Sequence, residues 1–174
     1  MKKLLMIGDS ITDWFDTDNL LPNFFVKNVG VAGDSTVETL GRIDKSWFDF
    51  QPDYIFICIG TNDFARFRKD AVILENIEKI VIKVKTHLSK AKIYITTIFP
   101  TRDNKPRPND RISNFNAQLN KKANSLNAEF FDLHYHFTDE DGKLKSEYTE
   151  DGLHLTPKAY VKWAEILTLY LKEE

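Results

Sequence analysis

Two short motifs, far apart in the sequence, carry the residue types of nucleophilic acyl transfer. Residues 8–12 (GDSIT) follow the first apolar run and offer the hydroxyl of Ser10, and residues 151–154 (DGLH) offer the carboxylate of Asp151 and the imidazole of His154. Serine attack on an acyl carbon needs a nucleophile, a base that takes its proton and an anion that orients the base. Together the motifs predict a serine hydrolase that uses these three side chains.

The oxyanion formed in such a reaction needs hydrogen-bond donors. Gly33 stands just before a helix start at Ser35, and a glycine there lets a substrate oxygen approach the backbone closely. Asn62 follows the strongest apolar run and can donate from its side-chain amide. With the backbone N–H of Ser10 as a further donor, we predict an oxyanion hole formed by Ser10, Gly33 and Asn62.

Five apolar runs must position these groups. They are residues 4–7, 24–29, 54–59, 93–99 and 130–133. Continuous runs rich in β-branched and aromatic residues are typical of strands covered on both faces. Apolar stripes at helical spacing fill the gaps, over residues 37–47, 73–88, 112–126 and 160–171, and Thr156 and Pro157 are suited to open the last helix.

Alternation of strands and helices predicts an α/β fold with a parallel sheet of five strands and right-handed crossovers. Ligands of such sheets bind outside the carboxyl ends of the strands. The GDSIT motif, Gly33 and Asn62 each follow a predicted strand, so we expect them to meet at one edge of the sheet.

Four sequence blocks, in order along the chain, carry a family resemblance. They are residues 8–12 (GDSIT), 30–33 (GVAG), 60–63 (GTND) and 151–154 (DGLH). The chain resembles the SGNH hydrolases, also called the GDSL esterases and lipases, with Ile11 where leucine is common. The G-x-S-x-G elbow of α/β-hydrolases does not occur in the sequence.

The resemblance implies a three-layer α/β/α sandwich of the flavodoxin-like type, which we expect to form a single domain over residues 1–174. It also implies Ser10 as nucleophile, His154 as base, Asp151 as the acid that orients the base, and Gly33 as an oxyanion donor. No cofactor is required by this chemistry. The substrate implied is a small-molecule ester.

We predict hydrolysis of esters with short acyl groups, because the longest loops, residues 101–110 and 138–150, are charged and too short to form a lid domain. Thioesterases, lysophospholipases and carbohydrate O-deacetylases use the same triad and remain alternatives within the enzyme class. A non-catalytic binding domain of flavodoxin-like fold is the alternative from another class.

Several residues near the motifs are candidate substrate contacts. Trp14 and Phe64 could wall an acyl pocket or belong to the core. Arg102 and Arg107, in a basic loop after the fourth strand, could contact an anionic part of the substrate or form ordinary surface charge. His134 and His136 alternate along a segment predicted to be extended, but no third ligand is apparent, and we predict no metal site.

Charge and hydropathy exclude other classes of function. A net charge of -2 provides no overall field that would attract nucleic acid or an anionic membrane surface. No apolar run approaches the length of a membrane-spanning helix, so we expect no integral membrane association. The run at residues 4–7 is shorter than the apolar core of a signal peptide, which predicts a cytoplasmic protein. Nothing in the sequence indicates a particular oligomeric state.

Overall fold

A computed structural model, which describes residues 1–88 and 90–172, shows a sheet of five parallel strands. The strands are β1 (Lys2–Gly8), β2 (Phe24–Asn28), β3 (Tyr54–Cys58), β4 (Lys92–Thr96) and β5 (Glu129–Phe131). Their order in the sheet is β2-β1-β3-β4-β5, which is the flavodoxin-like order. The predicted fold class is confirmed.

Helices cover both faces of the sheet. The α-helices are α1 (Ser10–Asp13), α2 (Thr17–Leu20), α3 (Thr36–Arg42), α4 (Thr61–Ala65), α5 (Asp70–His87), α6 (Asn109–Ser125), α7 (His134–Phe137) and α8 (Pro157–Lys172). Short 3₁₀ turns lie at Lys45–Trp47 and Ser146–Tyr148. As predicted, Thr156 caps α8, where its hydroxyl accepts from the backbone N–H of Ala159 at 3.4 Å.

Alternating strand residues form two apolar cores, one on each face of the sheet. Leu5 and Ile7 of β1 belong to the core that packs against α5 and α6. Leu4 and Met6 belong to the other core, in which Trp163 of α8 is 1% exposed. Because helices cover both faces of the sheet, the central strands are apolar throughout, and they appear in the sequence as continuous apolar runs.

The predicted helix over residues 37–47 is shorter than its apolar spacing suggests. Helix α3 ends at Arg42, and Val37, expected on its buried stripe, is 48% exposed. The residues that face inward are instead Thr36 and Thr39, both fully buried. Thr36 lies inward because its hydroxyl donates to the buried carboxylate of Asp63 at 2.7 Å, a polar contact that apolar periodicity cannot reveal.

The expectation of an extended segment at His134 and His136 was wrong. Both residues lie in the helical turn α7, which the hydroxyl of Thr97 anchors by accepting from the backbone N–H of His134 at 3.0 Å. Within residues 1–88 and 90–172, no group of three His, Cys, Asp or Glu side chains has the arrangement of a metal site. None of the helices described is both long enough and apolar enough to cross a membrane.

Candidate active site

The two motifs from opposite ends of the sequence meet at the carboxyl end of β1. Ser10 is the first residue of α1, and its Oγ lies 3.1 Å from Nε2 of His154. Nδ1 of His154 lies 2.6 Å from Oδ2 of Asp151. A carboxylate only accepts hydrogen bonds, so the ring proton belongs on Nδ1 and leaves Nε2 free to accept from the serine hydroxyl.

The loop that carries Asp151 and His154 is held by its own backbone. Oδ1 of Asp151 accepts the N–H groups of Leu153 at 2.9 Å and His154 at 2.8 Å. Burial on its own would raise the pKa of Asp151, but the bonds from the His154 side chain and from both backbone N–H groups outweigh it and lower the pKa to about 2. Asp151 therefore remains ionised throughout the neutral range.

Gly152 joins this loop to the segment after β4. Its φ is +84°, and a Cβ atom there would lie 2.0 Å from the carbonyl oxygen of Arg102. The backbone N–H of Arg102 donates to the carbonyl of Gly152 at 2.8 Å. Only glycine allows this close approach, so the glycine of the DGLH motif serves to dock the loop.

The predicted oxyanion donors follow neighbouring strands. Gly8 at the end of β1 pairs with Cys58 at the end of β3, so Ser10 and Asn62 both lie in the first turn of a helix at the same edge of the sheet. Nδ2 of Asn62 donates to the carbonyl of Asp34 at 2.9 Å, which holds the segment after β2 against α4. Gly33 in that segment has φ +88°, in the left-handed region that favours glycine.

Arg107 fixes the orientation of the Asn62 amide. Its guanidinium, in a residue only 9% exposed, donates to the carbonyl of Thr61 at 2.9 Å and to Oδ1 of Asn62 at 3.1 Å. A guanidinium has donors and no acceptor, so the amide must turn its oxygen to Arg107 and its NH₂ group to the opposite side. A third N–H group of Arg107 donates to Oδ1 of Asn104 at 3.3 Å, and this use of its donors favours a structural role for Arg107 over contact with an anionic substrate.

Arg102 and Phe64 are likewise used by the structure. The guanidinium of Arg102 pairs with the carboxylate of Asp139 and donates to the carbonyl of Leu144 at 2.7 Å. Phe64 is fully buried and packs edge-on against Phe115, with ring centroids 5.3 Å apart. Phe64 therefore belongs to the core, which is the second of the two uses that the sequence left open, and the guanidinium of Arg102 has partners within the protein.

A buried network that the sequence did not reveal holds the segments around Asn62. Asp63 is fully buried and accepts from the backbone N–H of Thr36 at 2.8 Å as well as from its hydroxyl. Arg68 neutralises this carboxylate by an ion pair. Arg66 donates to the carbonyl of Gly33 at 2.9 Å. Arg66 and Arg68 therefore hold the segments that carry the predicted oxyanion donors. In the sequence, the only sign of this network was an acidic residue, Asp63, directly after Asn62.

Trp14 is the candidate substrate contact that remains open to solvent. Its side chain is 52% exposed, and its ring centroid lies 4.3 Å from that of His154 with an interplanar angle of 31°. The indole thus covers one face of the imidazole. Any group that approaches His154 from this direction meets an apolar aromatic surface.

Asp9, which precedes Ser10, is a buried acid with a raised pKa. Its Oδ1 accepts from the N–H of Ile11 at 3.0 Å. Burial raises the pKa of Asp9 to about 7, against the opposing effects of this hydrogen bond and of the charge on Arg107. Between pH of about 4 and about 7 the folded chain therefore binds more protons at this residue than the unfolded chain, and the contribution of Asp9 to stability falls as pH rises.

The Asp9→Asn variant tests this linkage. Asparagine keeps an oxygen for the N–H of Ile11 and removes the charge, so between pH 4 and pH 7 the free energy of unfolding of the variant should fall less, or rise more, than that of the wild type. Urea unfolding across this pH range measures it. Asp18→Asn, at an exposed acid, is the matched control and should keep the wild-type slope. Equal slopes for Asp9→Asn and the wild type would contradict the raised pKa.

Comparison with known proteins agrees with this geometry. Residues 6–162 match the model of the GDSL-like Lipase/Acylhydrolase family. An arylesterase of Vibrio mimicus is 25% identical in an alignment 180 residues long, which covers 95% of this chain and 86% of the relative.

Solved structures show the same fold. A protein of Streptococcus pneumoniae named for platelet activating factor superposes with a TM-score of 0.87 at 29% identity, over 98% of this chain and 84% of that one. The lipase/acylhydrolase of Enterococcus faecalis gives a TM-score of 0.83 at 24% identity, over 99% of this chain and 96% of that one. With its family match extending over most of the sequence, the chain belongs to the GDSL-like lipase/acylhydrolase family and is a serine hydrolase of ester bonds.

Proposed function

We propose that this protein is an esterase that cleaves small carboxylic esters with short acyl groups through an acyl-enzyme on Ser10. The observation that carries the proposal is the continuous hydrogen-bonded series from Ser10 through His154 to Asp151. In that series the base already accepts from the nucleophile, and its second nitrogen already faces an ionised carboxylate.

The proposed reaction uses each group in turn. Ser10 Oγ attacks the ester carbon while Nε2 of His154 takes the hydroxyl proton, and Asp151 stabilises the imidazolium. The oxyanion accepts from the N–H groups of Ser10 and Gly33 and from the amide of Asn62. His154 then gives the proton to the leaving alcohol, and water repeats the sequence on the acyl-enzyme.

The short-acyl proposal rests on how the loops around the site are used. Thr101 and Asn109 bond to each other across the base of the loop after β4, with both distances 2.8 Å. Phe64, which could have walled a deeper acyl pocket, packs in the core instead. A long acyl chain would need such a pocket to bury its methylenes, each worth about 0.8 kcal/mol. The same triad would serve thioesters, lysophospholipids and acetylated sugars, so these are the alternatives that a substrate screen must separate.

Ser10→Ala tests the nucleophile. The variant should fold and lose nearly all turnover, because no other group supplies the attacking oxygen. It should also lose labelling by a fluorophosphonate, which the wild type should take up at Ser10. Ser113→Ala, at an exposed serine of α6, is the control and should keep both properties. A folded Ser10→Ala variant with wild-type kcat would reject the assignment.

Arg107 should affect the reaction through Asn62. Loss of its guanidinium frees the amide of Asn62 to rotate, so Arg107→Ala should lower kcat by roughly ten- to a hundredfold, with a smaller change in KM. Asn62→Ala removes the donor itself and should lower kcat by about a hundred- to a thousandfold.

A double-mutant cycle separates this role from general damage. In the Asn62→Ala background, removal of Arg107 should cost little more activity, because the group that it orients is already gone. Lys105→Ala, an exposed cation of the same loop, should leave kcat unchanged. Additive losses in the double variant would show that Arg107 does not act through Asn62.

Acyl preference is measured with one leaving group and acyl chains of increasing length. Acetyl and butyryl esters should give higher kcat/KM than palmitoyl esters below the concentrations at which micelles form. A rise in kcat/KM out to long chains would reject the short-acyl proposal and favour the lysophospholipase alternative.

A further inference from the structure

The backbone N–H of Gly33 is the one main-chain donor of its segment that the protein leaves unused. Among the residues that the structure describes, this N–H has no acceptor, whereas every other backbone N–H from residue 30 to residue 37 donates to an oxygen of the protein. Gly33 is also exposed to solvent. An unused and accessible donor is open to a ligand, which agrees with the proposed oxyanion role of Gly33.

The direction of this N–H is determined by the turn that contains it. The N–H of Asp34 donates to the carbonyl of Val31 at 3.1 Å, which closes a turn of four residues. Gly33, the third residue, has a φ of +88°, whereas Ala32 keeps a negative φ, so the turn is of type II. In a type I turn φ at the third residue would be about −90°, and the peptide between Ala32 and Gly33 would be turned over. Type II geometry therefore keeps the donor in its present direction.

Asp13 joins one side of this turn to the helix that carries the nucleophile. It is the last residue of α1, which begins at Ser10, and its Oδ2 accepts from the backbone N–H of Ala32 at 3.2 Å. That N–H belongs to the peptide directly before the donor peptide. The contact therefore sets the position of this side of the turn relative to Ser10.

Arg66 joins the other side of the turn to the helix that carries Asn62. It follows α4 directly, and its Nη2 donates to the carbonyl of Gly33 at 2.9 Å. Nη1 of the same guanidinium donates to both carboxylate oxygens of Glu38 at 2.8 Å. Hydrogen bonds, first from Ser35 and then from Arg66, lower the pKa of Glu38 to about 2, so this carboxylate stays charged in the neutral range and holds the guanidinium.

We infer that Asp13 and Arg66 are positioning residues for the reaction, which hold the donor peptide of Gly33 in place relative to Ser10 and Asn62. The inference rests on the proposed function, because it concerns the third donor of the proposed oxyanion hole. Each side chain acts through a peptide next to the donor and needs no contact with the ester. Exposed contacts of this kind contribute little to stability, whereas a displacement of about 1 Å in a reacting site can cost about a hundredfold in rate.

Single variants test the two contacts by kinetics. Arg66→Ala and Asp13→Ala should each lower kcat for a butyryl ester by about five- to twentyfold and change KM by less than about twofold, because the oxyanion is present in the transition state and not in the bound ester. Asp13→Asn keeps an acceptor oxygen and should retain most of the activity. Lys69→Ala, at an exposed cation near Arg66 in sequence, is the matched control and should keep the wild-type kcat. Wild-type kcat in either alanine variant would overturn the role of that residue.

A double-mutant cycle shows whether Arg66 acts through Gly33. A Cβ atom at Gly33 would meet no described atom within 4 Å, but a positive φ disfavours alanine. Gly33→Ala should therefore fold and lose about a hundredfold in kcat as the turn leaves type II. In this background Arg66→Ala should cost less than about twofold more. A loss equal to the product of the two single effects would place the action of Arg66 elsewhere and overturn its role.

An inhibitor that forms the oxyanion separates positioning from general damage. When Oγ of Ser10 adds to the carbonyl carbon of trifluoromethyl propyl ketone, the electron pair of the C=O π bond moves to the oxygen and the serine proton passes to His154. The Ki of this ketone should rise in each alanine variant by the factor by which kcat/KM falls. A lower kcat with unchanged Ki would show only a smaller active fraction of the protein, and would overturn the inference.

The same inhibitor distinguishes failure of this inference from failure of the proposed function. If the wild type binds the ketone but hydrolyses no ester, and both alanine variants raise Ki, the positioning role stands and the esterase proposal fails. If ester hydrolysis depends on Ser10 and Asn62 but both alanine variants keep the wild-type kcat and Ki, the esterase proposal stands and the positioning role fails.

Discussion

The site depends on the register between β1 and β3, because it makes the two strands end at the same height in the sheet. These strands pair in parallel, with Gly8 opposite Cys58, and each is followed at once by a short helix. Ser10 and Asn62 consequently emerge from the same edge of the sheet, at positions that the backbone hydrogen bonds of the central strands hold. A slip of one residue in this register would turn each side chain of one strand to the other face and separate the two groups.

The segments that follow β2, β3 and β4 are held together by buried charged and polar side chains, whereas the rest of the fold is held by apolar packing. The segment after β2 is tied to α4 through Asp63 and Thr36, and Arg68 neutralises the carboxylate within that contact. Arg107 and Asn62 extend the contact to the loop after β4. Polar contacts of this kind have directional geometry that apolar packing does not have, which suits loops whose donors must face one point.

The sequence predicted the elements much better than the use of individual polar side chains. The five strands, the helices α5, α6 and α8, and the edge that gathers the motifs follow from periodicity and from short local signals, and the structure contains them, whereas the helix predicted over residues 37–47 ends at Arg42. Arg107 could not be interpreted in this way, because its partner Asn62 lies 45 positions away and nothing local indicates which acceptor a guanidinium will meet. The same reason applies to Phe64, whose burial depends on α6, and to the hydroxyl that draws Thr36 inward.

The distance in sequence between Ser10 and His154 has a consequence for how the molecule matures. The hydrogen bond between them joins residues 144 positions apart, and Tyr160 ties the start of α8 to α1 by donating to the carbonyl of Ile11 at 2.8 Å. Contacts of such separation carry a large loop-closure cost and depend on the elements between them. On the ribosome, the early strands can pair while the imidazole is still unsynthesised. The hydrogen bond between Ser10 and His154 therefore forms only after nearly the whole chain has been synthesised.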